Sequence, residues 1–590
     1  ATLIHETLVK TQAGIIADFP LNKYEFENSF IRIGEGSLGG KARGLAFINT
    51  LLAESSLREK FRDVKILTPH TFVICSEVFE EFVEQHQLQS FAIKETDNER
   101  IAHKFLKCKF SKKIRGNLIQ ILSNLDYPLA VRSSSLLEDS QMLPFAGLYA
   151  TYMLPNNHPE LKIRLKQLET AIKLVFASVF FKSPKEYIKN TNFRIEEEKM
   201  AVIIQQVAGR NYNNRFYPTV SGVAQSYNFY PMSHMEAEEG IVQLALGLGA
   251  TIAEGDKTYR FSPHYPETPP PFSSPAEFLK KSQNRFYAID LDHPAIRIRL
   301  DEKCSLSQVD LTKAEADGTL YFTASTLSSE NYMIRHTIAI DGPRLITFAP
   351  LLKYNKFPIA DIIKEVLKLG YDSFGSHIEI EFALNLFKDS KRKPEFYLLQ
   401  IRPMIAGQEY REIDLSGYRF NDIYCQSDHA LGNGKIENVR DIVYVDPEKF
   451  DISKSRHIAE EIGQLNKEFI KTENRYVLMG FGRWGTSDPW LGIPVDWDQI
   501  SRASVIIESY LNQFRVDPSQ GSHFFHNITS LNIAYMHIGR ETDSEFILWD
   551  HLKKNTPKSE LKYVSHIRLK DPLAIFINGK RSRGLIARSY

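Results

Sequence analysis

The sequence is poor in cysteine. It has four, Cys75, Cys108, Cys304 and Cys425, widely spaced and without a Cys-x-x-Cys pair. That excludes a disulfide scaffold and a four-thiolate zinc site, and it fits a reducing, cytoplasmic setting. No apolar run approaches the ~18 residues of a membrane span, so no membrane partner is expected. The opening stretch ATLIHETLVKTQAG lacks the basic and apolar regions of a signal peptide. It also lacks Met, so the chain reads as processed or as a fragment of something longer. An excess of charge is missing as well: 73 Lys and Arg balance 72 Asp and Glu, for a net charge of +1. A large basic surface for nucleic acid is therefore not implied. No internal repeat of fixed period is found.

What is present is the balance of a globular chain. Hydrophobic residues make up 43% and charged residues 25%, which excludes collagen, a coiled-coil rod and a wholly disordered chain. The 590 residues suit about three to four folding units. Strand candidates are 65–75, 127–132, 200–209, 222–229, 241–249, 377–385 and 395–403. Helical segments fill 76–124, and LKQLETAIKLVFASVFF (165–181) reads as an amphipathic helix. Strands alternating with helices predict α/β or α+β layers. The Pro/Ser-rich stretch SPHYPETPPPFSSP reads as a surface loop or hinge.

Four stretches carry chemistry. GSLGGKARG (36–44) places glycines ahead of a helix, where backbone N–H groups and Lys41 suit an anion. It is not a P-loop, because Ala42 follows the lysine, and a plain Gly-rich turn with a solvated lysine is the alternative. LAVRSSSLLEDS puts Arg132 at a strand end before three serines, a donor fork suited to phosphate oxygens. The alternative is an arginine paired with Glu138 or Asp139. In HIEIEFALN, Glu379 and Glu381 share one strand face, as do Gln400 and Arg402 in FYLLQIRP. If the strands are neighbours, carboxylate and amide oxygens suited to Mg²⁺ converge with a guanidinium; the alternative is a cross-strand bridge between Glu381 and Arg402. GLGATIAEGD (247–256) is a further Gly-rich turn, a mobile lid or simply a turn.

As an ordered set, GGKARGL, AVRSSSLLEDS…FAG, AIKLVFASVFFKSPKEYI, VIIQQV, LALGLGATIAEGD and IEIEFALN…FYLLQIRP resemble the nucleotide-binding half of the phosphoenolpyruvate synthase and pyruvate phosphate dikinase family, over about residues 30–405. The resemblance implies a two-lobed ATP-grasp module followed by a smaller α+β C-terminal domain. It implies an ATP-dependent phosphotransferase of dikinase type whose cofactors are ATP and Mg²⁺. Lys41 and Arg132 would bind phosphates from one lobe. Glu381 and Gln400 would hold Mg²⁺ from the other, with Arg402 touching the phosphates. Glu379 stands where the dikinases carry Asp, and Ala250 stands where the synthases usually carry Glu.

The expected division is an arm at 1–30, a first subdomain at 31–195, a second at 196–405 with an insertion or loop region at 262–345, and a C-terminal domain at 406–590. The last resembles, over 430–447, the start of the family's swivelling domain. Its length, below the ~200 residues of a barrel, leaves no room for a pyruvate-binding barrel. His523, in SQGSHFFHNIT, is the candidate phosphoryl acceptor, with a packed core histidine as the alternative. GFGRWGTSDPWLGIP (480–494) suggests an acceptor site at Arg483, Trp484 and Asp488, or a tight loop anchored by buried Trp490 and Trp497. The partner expected is a nucleotide together with an unnamed acceptor. The alternative functions are a non-catalytic ATP sensor and a phosphotransferase acting directly on a small molecule or glycan.

Overall fold

The computed structural model describes residues 16–19, 30–135, 147–189, 194–229, 235–269, 274–389, 391–404, 419–486, 488–511, 514, 516, 518–519, 524, 533–539, 542, 544–578 and 582–588. The protein is mixed α/β, built on several sheets. The first sheet has six strands in the order Ala17–Asp18, Phe30–Ile33, Thr71–Ile74, Met200–Gln206, Leu129–Ser135 and Thr151–Leu154. A second six-stranded sheet runs Tyr259–Phe261, Ile241–Ala245, Val220–Gln225, Ile378–Asn385, Glu395–Pro403 and Lys65–Leu67. The stretch 65–75, expected as one strand, is therefore two strands in two sheets. Pro69 has no N–H to give a ladder and fixes its own φ, so pairing stops there and the chain crosses over.

Between the two sheets lies the helix Gly39–Glu54. Its inward face buries Ala42, Leu45, Ile48 and Leu52, at helical spacing. Two of its glycines have a steric reason. Gly39 has φ +76, and a Cβ on it would stand 1.8 Å from the Ser134 carbonyl oxygen. A Cβ on Gly44 would stand 2.6 Å from the Ile401 oxygen. The glycines thus let one helix approach a strand of each sheet at backbone distance. Gly39→Ala should cost about 2–5 kcal/mol, from overpacking plus the left-handed φ. Gly116→Ala, on a helix position with nothing within 4 Å, should be stabilising by up to ~1 kcal/mol. Denaturant unfolding of the two variants side by side checks the contrast; equal effects would refute it.

The region 262–345 is not a loop. It contributes Arg285–Asp290 and Leu306–Asp310 to a four-stranded sheet with Arg210–Tyr212 and Arg215–Tyr217. Ala324–Leu327 centres a three-stranded sheet. The helix Pro275–Lys281 begins at the last residue of the Pro/Ser-rich stretch.

The C-terminal part holds a seven-stranded sheet whose centre is parallel: Asp441–Val445, Tyr476–Phe481, Ala503–Ser509 and Ala534–Ile538. The helix Ser455–Thr472 makes the crossover between the first two. This is α/β layering rather than the α+β expected, and the strands DIVYV, YVLMGF and ASVIIES are buried throughout. A five-stranded antiparallel sheet packs beside it. Trp497 meets Tyr187 of the first half with ring centroids 5.5 Å apart, and Lys182 pairs with Asp498. Among the described residues the four cysteines are free, and no helix is long and apolar enough to cross a membrane.

Candidate functional site

Antiparallel pairing of Ile378–Asn385 with Glu395–Pro403 sets Glu379 opposite Arg402 and Glu381 opposite Gln400. Directly opposed residues point to one face, so the four polar side chains line a single surface of the second sheet. The buried bridge forms between Glu379 and Arg402, one register step from the Glu381–Arg402 bridge considered above. The Arg402 Nε donates to Glu379 Oε1 at 2.8 Å, Nη2 donates to the same oxygen, and Gln225 Nε2 donates to Oε2 at 2.7 Å. Glu379 is only 2% exposed. A carboxylate can be held there because three N–H donors replace the water it loses.

Arg132 faces this surface from the middle of its buried strand, Leu129–Ser135, and not from the strand end expected, because the three serines after it continue the pairing with Met200–Gln206. Its Nη2 donates to Gln400 Oε1 at 2.7 Å and to Glu381 Oε2 at 3.3 Å, and Nη1 donates to Gln205 Oε1 at 3.5 Å. One guanidinium from the first sheet thereby meets an amide and a carboxylate oxygen of the second. Glu138 and Asp139 lie outside the described residues, as does His523.

Lys41 enters from the helix Gly39–Glu54. It is 8% exposed, and its Nζ donates to Ser133 Oγ at 3.4 Å, beside Arg132. Two of this helix's early N–H groups are already used: Gly39 N donates to Ser37 Oγ at 3.1 Å and Ala42 N to Ser134 Oγ at 3.0 Å. The turn is therefore less open to an anion than its glycines suggested. Glu302 approaches on the connection between Arg285–Asp290 and Leu306–Asp310 of the four-stranded sheet. Its Oε2 accepts the Thr151 N–H at 2.8 Å, and Thr151 pairs with Arg132. The surrounding protein pushes the Glu302 carboxyl up, opposed by that N–H and by Lys41 and Lys303.

Thus Arg132, Glu381 and Gln400 meet directly, Lys41 reaches the residue next to Arg132, and the Glu379–Arg402 pair lies one register step along. Sequence reasoning missed Gln205, Gln225 and Glu302. The two glutamines had a signal, since Gln205 follows an apolar run in MAVIIQQ and Gln225 closes the strand VSGVAQ; Glu302 had none. Glu254, one helical turn beyond Ala250, accepts from Tyr287 at 3.2 Å and pairs with Lys303 at 2.7 Å.

In GFGRWGTSDPW, Trp484 cannot stack on a ligand. It is 1% exposed, and its indole N–H donates to the Ile507 oxygen at 2.9 Å. Trp490, considered as a buried anchor, is 64% exposed, whereas Trp497 is buried. Arg483 is buried and donates to the Gly255 oxygen at 2.6 Å. Asp488 Oδ1 accepts the Trp490 N–H.

An arginine of one sheet meeting a carboxylate and an amide oxygen of another, with a lysine close by, marks a mixed α/β protein with a polar, charge-paired contact between its sheets. The family described as "Pyruvate phosphate dikinase, AMP/ATP-binding domain" matches residues 35–414, and the chain belongs to that family. A curated relative in Bacillus subtilis (strain 168), named "Uncharacterized phosphotransferase YvkC", is 28% identical over 193 residues. That match covers 32% of this chain and 20% of the relative.

Proposed function

We propose that the protein binds Mg-ATP between the two sheets, as an ATP-grasp module of subdomains 31–195 and 196–405, and acts as a phosphotransferase of dikinase type. The observation that carries this reading is the reach of Arg132 across the cleft to Glu381 and Gln400. In the reading Lys41 and Arg132 take the phosphates, and Arg402, aligned by Glu379, adds a second guanidinium. Glu381 and Gln400 hold Mg²⁺. The opposed oxygens of this pair are hard ligands, and two protein oxygens completed by phosphates and water suit that ion. Among the described residues no group of three or more His, Cys, Asp or Glu offers an all-protein cage instead. The ion, when bound, neutralises charge on the phosphoryl oxygens.

The side chains of this chain do the positioning. With ATP seated, Arg132 exchanges its carboxylate contact for phosphate oxygens, and Glu381 is released towards the metal. His523 is the acceptor in this reading. The test is incubation with Mg-ATP and identification of the nucleotide product. AMP with labelled protein is expected, and the label should be lost in His523→Ala. Tight ATP binding without turnover would favour a sensor; ADP as sole product would favour direct transfer to a small acceptor; absence of binding would sink the proposal.

A further inference from the structure

The cleft face of the second sheet does not end at its central strands. Register pairing carries one row across five of them: Gln400, Glu381, Val223, Gln243 and Arg260 stand opposite one another in turn. Opposed residues share a face, so Arg260 lies on the same surface as Glu381. It stands three strands away, about 14 Å at the usual strand spacing. There its Nη2 donates to the carbonyl oxygen of Pro518, in the C-terminal part, at 2.8 Å.

The contact is answered from the other side. Arg483 Nη1 donates to the Gly255 oxygen at 2.6 Å and reaches the Asp256 oxygen at 3.5 Å, so it closes on the Gly-rich turn just before the Arg260 strand. Both arms rest on one buried carboxylate, Glu508. It accepts the Trp484 N–H at 3.0 Å, next to Arg483. It also accepts the Ser519 N–H at 3.2 Å, next to Pro518, together with the Ser519 hydroxyl and the Tyr535 hydroxyl, the latter at 2.5 Å. A carboxylate with four donors fixes both loops in one geometry.

We infer that Arg260 is a positioning residue: with Arg483 and the Glu508 brace, it holds the Trp484 and Pro518–Ser519 loops at the rim of the nucleotide cleft, so that the C-terminal part forms the wall on the acceptor side. This rests on the nucleotide reading above. Arg260 acts through the loop it holds and not on the nucleotide. The acceptor of the phosphoryl group therefore arrives over the Gln243–Arg260 end of the row, opposite the end where Arg132 meets Gln400.

The experiment uses the full chain with Arg260→Gln, Arg260→Lys and Glu508→Gln. Mg-ATP affinity, turnover at saturating Mg-ATP, and amide exchange at residues 480–484 and 503–509 are measured. Arg260→Gln should lower turnover about tenfold or more while leaving the dissociation constant for Mg-ATP within about twofold, since misplacement at a distance acts on the reacting geometry. Arg260→Lys should recover part of the loss, and Glu508→Gln should repeat it. Exchange at 480–484 should rise in Arg260→Gln. Equal losses in affinity and turnover would make Arg260 a nucleotide ligand and overturn the inference; so would unchanged turnover or unchanged exchange. If the parent chain binds no nucleotide, the cleft reading falls, and exchange alone decides whether Arg260 holds the loop.

Discussion

Arg402→Ala should lower stability by about 3–5 kcal/mol, because it strands a buried carboxylate. Glu379 and Arg402 keep 2% and 8% of their side-chain surface in contact with solvent. A surface pair of the same composition would be worth only about 0–1 kcal/mol. In Arg402→Ala, Glu379 would keep the Gln225 donor and lose both guanidinium N–H groups. The loss is then the penalty of an uncompensated charge and not the worth of one hydrogen bond. Glu379→Ala should cost a similar amount, by leaving Arg402 buried. The double substitution Glu379→Leu with Arg402→Met should recover most of it, because neither charge remains to be solvated. Unfolding of a chain with several sheets need not be two-state, so amide exchange of residues 378–385 and 395–403 is the appropriate readout. A change below about 1 kcal/mol in Arg402→Ala would show that water reaches the pair.

The chemistry of this surface was legible in the sequence because strands alternate with period two. Glu379 with Glu381, and Gln400 with Arg402, had to share faces. Which residue opposed which was not legible: the turn FKDSKRKP does not specify register, and the bridge formed at Glu379 instead of Glu381. The family resemblance rested on local stretches, and it extended over most of the residues that the family match covers. The 262–345 region was misread because its strands are short and pair across long separations, as Ile289 does with Phe216, while its prolines dominate any local reading. The central strands of the C-terminal sheet were missed for the opposite reason. Buried on both faces, they lack the alternation that marks a half-exposed strand. Tryptophan content was no guide either: Trp484 and Trp490 belong to one motif, yet one is enclosed and the other exposed. Contacts such as Arg260 with Pro518 join residues 258 apart, and no local pattern encodes them.

Glu381→Gln separates the proposed metal-and-phosphate reading from a merely structural ion pair, because it predicts effects of opposite sign. The substitution keeps an oxygen acceptor for Arg132 but removes the charge. Without divalent metal, a carboxylate beside a triphosphate is repulsive, by about 4 kcal/mol per unit charge at 4 Å under an effective dielectric of 20. Glu381 is a quarter exposed, so solvent and salt reduce that figure substantially. Its removal also weakens the hold on Arg132 of a competing partner at 3.3 Å, by turning an ion pair into a neutral contact. Metal-free ATP should therefore bind about tenfold more tightly to Glu381→Gln than to the parent chain. With Mg²⁺ present the sign reverses, because the carboxylate oxygen is the charged half of the proposed ligand pair with Gln400. Loss of such a charged ligand should weaken Mg-ATP binding and lower turnover by about a hundredfold, on the scale of two charge-assisted contacts. Arg132→Met serves as the control, since it removes a phosphate donor whether or not metal is bound and should weaken nucleotide in both conditions. Titration of a fluorescent ATP analogue in EDTA and in Mg²⁺ reads all four cases. If Glu381→Gln moves both conditions in the same direction, or neither, Glu381 serves only to join the sheets through Arg132, and the metal must be sought elsewhere.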